Sequence, residues 1–227
     1  MKINILSKSD EAFHDREEAG RLLGVALQYL HGAQTVVLGI PRGGVVVARE
    51  ASSLLKAELD IVLSRKLGAP HNPELAVGAI SESGKIFLED SIASSVGANA
   101  AYVKVEARRQ LAEIKRRAEI FRKVRPKSEL GGKTVIIVDD GLATGATMQA
   151  SLWAARQEKP AKLIAAIPVA SSEAIDRIAD YSDEVVCLRL PDFFGAVGQF
   201  YVEFGQTTDE EVIEILKEEF TNRKRRV

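Results

Sequence analysis

The sequence predicts a single α/β domain, residues 1 to 227, built on a parallel sheet with helices on both of its faces. Three observations predict it. From residue 35 onward short apolar runs alternate with helical stretches, and that alternation implies parallel strands joined by crossover helices. Val135, Ile136, Ile137 and Val138 are four consecutive aliphatic residues, the pattern of a strand covered on both sides. A chain of 227 residues with 46% hydrophobic content can also bury a sizeable core.

Residues 10 to 30 place Phe13, Ala19, Leu22, Leu23, Ala26, Leu27 and Leu30 at helical spacing among charged positions, which predicts an amphipathic first helix. Ser9 or Asp10 caps its start and His31-Gly32 ends it, with His14 and His31 solvated. Residues 35 to 39 form a short strand that runs into Ile40-Pro41-Arg42-Gly43-Gly44, followed by a helix over 45 to 56. The next strand spans 60 to 64 and ends in Arg65 and Lys66. Residues 68 to 74 are rich in turn formers and continue neither strand nor helix. They lead to segments 75 to 80 and 85 to 88, joined by Ser81-Glu82-Ser83-Gly84 as a hairpin.

Residues 102 to 127 carry Lys104, Arg108, Arg109, Lys115, Arg116, Arg117, Arg122, Lys123, Arg125 and Lys127 against Glu106, Glu113 and Glu119. Val105, Leu111, Ile114, Ala118 and Phe121 keep an apolar stripe through them, so the block reads as a helix with one solvated, charged face. Contact with RNA or DNA is the alternative use of such a face. After a strand at 134 to 138 and a helix at 148 to 157, the chain predicts a strand at 162 to 169, a helix at 171 to 181 capped by Ser171 or Ser172, and a strand at 184 to 190. Thr208 and Glu211 form a capping box for a last helix to about Thr221, followed by a frayed basic end, Arg223 to Arg226.

With 31 basic and 32 acidic residues, the chain has no general attraction to nucleic acid or membrane. Its only cysteine, Cys187, lies in an apolar run, so it reads as core, and no disulfide within the chain is possible. No apolar run approaches membrane-spanning length and no leader pattern opens the chain, which predicts a cytoplasmic location.

The chemistry is expected where the strand 135 to 138 ends, in Asp139 and Asp140, since the carboxyl ends of parallel strands carry the sites of such folds. The small residues and hydroxyls of Ala143, Thr144, Gly145, Ala146 and Thr147 precede a helix, whose free N–H groups and dipole suit a phosphate. The acid pair then faces hydroxyls or a magnesium ion. A turn with a helix cap is the plainer use of Asp139-Asp140-Gly141. A second strand-loop-helix anion site is Pro41, Arg42, Gly43 and Gly44, where glycines admit a phosphate and Arg42 adds charge. Arg65 and Lys66 either face the same anion or are ordinary exposed charges. Residues 191 to 204 concentrate Phe193, Phe194, Phe200, Tyr201 and Phe204 among glycines. They either stack on a planar heterocycle that Gln199 reads at its edge, or pack against the first helix as a small second core.

The stretch from Val135 to Thr147 resembles the signature of the type I phosphoribosyltransferases: aliphatic residues, two acids, then Thr-Gly-x-Thr. Gly141 departs from it, standing where the family usually has an aliphatic residue, and Ala146 stands where a second glycine is frequent. With its Pro-Arg-Gly-Gly loop, Arg-Lys-Leu-Gly-Ala-Pro segment and aromatic C-terminal loop, the chain is most similar to the stand-alone phosphoribosyltransferase-like branch. The resemblance implies a core over about 35 to 190 and a small hood from 1 to 34, 67 to 127 and 191 to 227. It implies phosphoribosyl pyrophosphate (PRPP) and a nitrogen-containing acceptor as ligands, Mg2+ as cofactor, and transfer of ribose 5-phosphate with release of pyrophosphate. On that reading residues 143 to 147 hold the 5-phosphate and residues 41 to 44 the pyrophosphate. Asp139 and Asp140 meet the ribose diol and, directly or through water, the metal, and with Arg42 and Lys66 they form the catalytic set. Phe193, Phe194, Gln199, Phe200 and Tyr201 hold the acceptor. A homodimer is compatible with the resemblance, while membrane and nucleic acid are not expected partners. A PRPP- or nucleotide-sensing regulator without turnover, touching RNA or DNA through the basic helix, is the alternative function.

Overall fold

The structure is a computed structural model that describes residues 2 to 32 and 34 to 226, with side chains through residue 222. In chain order its elements are β1 (Lys2–Ser7), α1 (Arg16–Ala26), β2 (Thr35–Gly39), α2 (Gly43–Leu55), β3 (Glu58–Ile61), β4 (Ser64–Ala69), β5 (Asn72–Ser81), β6 (Ile86–Leu88), α3 (Asp90–Ser95) and α4 (Ala100–Phe121). They continue with β7 (Thr134–Val138), α5 (Ala146–Arg156), β8 (Lys162–Val169), α6 (Ser172–Ala179), β9 (Glu184–Arg189) and α7 (Asp209–Arg226). The main sheet has the order β1-β9-β8-β7-β2-β3, and every neighbouring pair is parallel.

Alternation along each central strand sends side chains to two separate cores. Val36, Leu38, Val135, Ile137, Leu163 and Ala165 face α5 and α6, packing with Met148, Leu152, Ile175 and Ile178. Val37, Ile136, Val138, Ile164 and Ala166 face α1 and α2, packing with Leu23, Leu27, Val45 and Ala48. The expected strand covered on both sides is therefore present, and Cys187 is buried in the first of these cores, where burial pushes its thiol up to about 12.

The sheet also sets the location of the site. From β2 the chain crosses through α2 to β3, and from β7 it crosses through α5 to β8 on the other side. Between β2 and β7 the following loops diverge to opposite faces, leaving a crevice at the carboxyl ends of the strands, where ligands of open α/β sheets bind.

Several expectations are corrected. Residues 2 to 7 are not part of a hood: they form an edge strand of the main sheet, in register from Lys2 opposite Glu184 to Ser7 opposite Arg189. The first helix starts at Arg16, not near residue 10, because Asp15 is extended and its side chain accepts the Glu18 N–H at 2.7 Å. The strand expected at 60 to 64 is split. β3 ends at Ile61, and Ser64 opens β4, which pairs with β5 and β6 in a separate antiparallel sheet. The turn-rich stretch 68 to 74 consequently contributes to both β4 and β5, with Pro73 near the start of its strand. The hairpin of 75 to 80 with 85 to 88 is present as β5 and β6. Trp153 of α5 holds this small sheet to the core, its ring 4.4 Å from Phe87 and 5.1 Å from Tyr181 between centroids.

The basic helix is α4, but its C-terminal arginines do not form a solvated face. Arg122 is bidentate on Glu82 (2.8 and 2.9 Å) and reaches Asp60 at 2.7 Å, while Arg125 reaches Glu58 at 2.6 Å. Asp60 is 1% exposed, and a carboxylate so buried requires a paired cation. These two arginines are thus unavailable to a nucleic acid. Thr208 and Glu211 do form the expected capping box, with N–H to oxygen distances of 2.6 and 3.2 Å. Helix α7 then runs through Arg226, past the end expected near Thr221; the side chains of 223 to 226 lie outside the described residues.

Candidate active site

Between Val138 and α5 the chain makes a short loop. Gly145 sits at φ +72°, and a Cβ there would lie 3.0 Å from the Ala174 carbonyl oxygen, so both conformation and space call for glycine. This turn places Ala146 and Thr147 at the head of α5. The first backbone donor of that helix to find a carbonyl is Gln149, which reaches Gly145 at 2.9 Å. Among the described residues, the N–H groups of 143 to 148 have no acceptor, and Ala143, Thr144 and Thr147 are exposed. An open nest of donors at a helix start is an anion site.

The two expected loops meet. The Asp139 Oδ1 accepts the Asp140 N–H at 3.0 Å. A Cβ on Gly43 would lie 2.0 Å from Asp140 Oδ2, and one on Gly44 would lie 2.9 Å from Asp139 Cα. The glycine pair is therefore required by the acid pair pressing on it, a role that sequence reasoning assigned to an incoming phosphate. Burial, and after it the neighbouring Asp140 carboxylate, push Asp139 well above the usual carboxylate range. The Pro41–Arg42 peptide is cis. Arg42 is half-buried; its carbonyl accepts the Val45 N–H at 3.1 Å, while its guanidinium makes no hydrogen bond or ion pair among the described residues.

Sequence reasoning missed Arg16. From the first turn of α1 its Nε donates to Asp140 Oδ2 at 2.8 Å, with both side chains largely buried, and it also donates to the Gly205 carbonyl at 2.7 Å. The Phe204 ring lies 3.9 Å from its guanidinium. Tyr201 adds a 2.6 Å hydrogen bond from its hydroxyl to the Asp140 carbonyl oxygen. The amino- and carboxyl-terminal segments are thereby clamped onto the acid pair. No local pattern could have found Arg16, which is 124 residues from its partner.

Lys66 is not at the end of a core strand. It lies inside β4, where it donates to Glu74 of β5 at 2.7 Å, and Arg65 stands 3.9 Å from Glu113. Both still line a cleft that reaches Thr147.

The aromatic loop divides. Phe200 is 1% exposed and Tyr201 5%, with Tyr201 5.5 Å from Phe13 between ring centroids and Phe200 5.2 Å from Phe194. The packing alternative describes these rings, and the expectation that Phe200 and Tyr201 stack on an acceptor is corrected, because neither has a free face. Gln199 uses its oxygen on the Gly195 and Ala196 N–H groups (3.1 Å each) and its nitrogen on the Phe193 carbonyl at 3.4 Å, shaping the loop. Phe193 is 79% exposed. Gly141 is explained here: a Cβ on it would lie 2.5 Å from the Val197 side chain, so the aliphatic residue usual at this position would not fit.

Fold and site together define a protein with a strand-end loop of open backbone donors and an acid pair at the switch point of a parallel sheet. The profile of the phosphoribosyl transferase domain matches residues 11 to 204. Over 204 residues the chain is 47% identical to proteins of two strains of Mycobacterium tuberculosis, each provisionally named a phosphoribosyl transferase. The match covers 90% of this chain and 46% of theirs, so the chain spans about half the length of the curated relatives it matches. The solved structure of the protein TT1426 from Thermus thermophilus is 48% identical, with a TM-score of 0.86 over 91% of this chain and 98% of that one. The chain belongs to the phosphoribosyl transferase family.

Proposed function

We propose that this protein transfers ribose 5-phosphate from PRPP to a nitrogen acceptor, a nucleobase-like heterocycle, with release of pyrophosphate. The observation that carries the reading is the close approach of the Arg42-Gly43-Gly44 loop to the acid pair from which the open N–H nest follows. The open N–H nest of 143 to 148 and the Arg42-Gly43-Gly44 loop are held on either side of Asp139 and Asp140, so a sugar with a phosphate at one end and a diphosphate at the other can lie across one crevice.

The chemistry follows from charge. The 5-phosphate is anchored on the nest, fixing the ribose in orientation. As the bond from the ribose C1 to pyrophosphate breaks, positive charge develops on the sugar and negative charge on the leaving group. Arg42, without a protein partner, stabilises the leaving group, and a group that acts on developing charge lowers the barrier itself. The acid pair orients the ribose hydroxyls and favours positive character on the ring. For Asp140 to take part it must share its carboxylate with Arg16. Two adjacent carboxylates, with no cluster of three metal-binding side chains among the described residues, suit a magnesium ion completed by water and ligand oxygens rather than a protein cage. Bound there, Mg2+ would supply charge neutralisation for the diphosphate. Phe193 is the one aromatic side chain of residues 191 to 201 whose ring is open for an acceptor.

Titration of PRPP with Mg2+ into the protein, then a panel of nitrogen heterocycles with pyrophosphate detection, tests this. Release of pyrophosphate with one acceptor establishes the transferase. Binding without release points to a sensor, and absence of binding overturns the reading. Among the described residues no helix is long and apolar enough to cross a membrane.

A further inference from the structure

One arginine of α4 is placed unlike the rest of the basic block. Arg117 turns inward, and its Nε is buried without a hydrogen-bond partner. Its neighbours worsen its position: burial lowers its pKa most, Arg65 next, with Asp209 opposing and then Arg116 and Arg42 adding repulsion. Arg42 itself has no ion pair among the described residues, and Arg65 has only the loose Glu113 contact at 3.9 Å. Three guanidinium groups from three distant segments thus converge with too little negative charge between them.

Two of them, Arg65 and Arg117, line one space, and Pro41, the neighbour of Arg42, stands in its wall. A cleft of about 240 Å3, lined by Pro41, Ser64, Arg65, Arg117, Thr147 and Ser151, is several times the ~30 Å3 that a water occupies in the liquid. Its walls include Pro41 of the glycine loop and Thr147 of the phosphate nest, so it opens onto the crevice described above. A partly buried donor without an acceptor is costly, and like charges held together cost more. An anion in the cleft removes both penalties.

We infer that Arg117, together with Arg65 and Arg42, binds the diphosphate group of the sugar donor, so that the helix inserted between β6 and β7 contributes a substrate-contacting cation. This inference rests on the proposed function for the identity of the donor, but not for the affinity of the cleft for a diphosphate. The planar, multidonor guanidinium suits phosphate oxygens better than a lysine would.

The test is calorimetry of inorganic pyrophosphate and, separately, ribose 5-phosphate with the wild type and Arg117→Gln, plus thermal melting without ligand. Arg117→Gln is expected to lose affinity for pyrophosphate by about tenfold or more, the size of a charge-assisted hydrogen bond. It should keep its ribose 5-phosphate affinity within about twofold and melt no lower than the wild type, because a buried Nε without a hydrogen-bond partner and its repulsion with Arg65, Arg116 and Arg42 are removed, which outweighs the lost attraction to Asp209. Unchanged pyrophosphate affinity overturns the inference, as does parallel loss of both ligands with a lower melting temperature, which would mean a structural role. Should Arg117→Gln fold poorly, the more exposed Arg65→Gln is expected to show the same selective loss, and equal affinities there overturn the inference. Wild-type protein that binds pyrophosphate but not ribose 5-phosphate supports the diphosphate cleft and breaks the PRPP reading. Wild-type protein that binds ribose 5-phosphate alone does the reverse.

Discussion

The two walls of the crevice are built on different principles. One, residues 143 to 148, is a single continuous stretch that offers backbone N–H groups at the head of α5 and carries no charged side chain. The other is cationic: Arg65 of β4 and Arg117 of α4 line one cleft, and Arg42 of α2's entry loop lies close enough to repel Arg117. The backbone wall needs only the correct local conformation, so its residue types announce it. The cationic wall needs three long-range docking events, and each of its arginines looks ordinary in its own segment. Between them, Asp139 and Asp140 touch the glycine loop, and Asp140 is clamped by Arg16.

The comparison is broken hardest at Gly43. Gly43→Ala puts a Cβ 2.0 Å from Asp140 Oδ2, so the acid or the loop must move. The expected result is PRPP affinity lower by about a hundredfold and stability lower by about 1–3 kcal/mol, read by calorimetry and denaturant titration. Unaltered binding would mean that the two loops do not meet under load.

Asp140→Asn keeps the shape and removes the charge. Turnover is expected to fall by about a hundredfold, whereas loss of the Arg16 pair costs about 1–3 kcal/mol of stability. Loss of turnover no greater than the loss of folding would remove any functional role for this acid.

Asp139 distinguishes the walls by pH. Its pKa is raised on folding, so its contribution to stability is full below the ordinary value of 3.8 and is lost as pH rises through the folded value. Asp139→Asn cannot ionise. Denaturation curves of the two proteins should coincide in acid, and the variant should gain on the wild type as pH rises. A difference that does not change with pH would place Asp139 in solvent.

The smallest effect is expected at Glu74. This residue is 80% exposed and its carboxyl is held below the usual range by Lys66. Glu74→Gln releases Lys66 toward the cleft, and pyrophosphate should bind about two- to threefold more tightly with no change in melting temperature. Weaker binding would show that the pair holds β4 and β5 in place for the arginines.

How much of this was legible can be read from particular residues. The strands at 35 to 39, 134 to 138 and 162 to 169 were readable because burial on both faces demands unbroken aliphatic runs. The loop of residues 143 to 147 and the helix start after it were readable because small residues and a glycine precede the helix. β1 was not, since its side chains are nearly all exposed. What defines it is backbone pairing with β9, some 180 residues away, and backbone pairing leaves no mark in residue type. Nor was the fate of the basic block: Arg122 and Arg125 carry the same sequence signal as the exposed Lys115 and Arg116, and only the buried Asp60 against Arg122 and Glu58 against Arg125 separate structural from solvated charge.

Hydrophobic period, helix caps and the loop at the end of β7 were therefore settled within the chain's own local patterns, since each depends on neighbours a few residues apart. The clamp of Arg16 on Asp140, the burial of Phe200 and Tyr201, and the meeting of Arg42, Arg65 and Arg117 were settled by packing alone. A charge or a ring acquires its role from what surrounds it, and those surroundings come from segments that the sheet, and not the sequence order, makes adjacent.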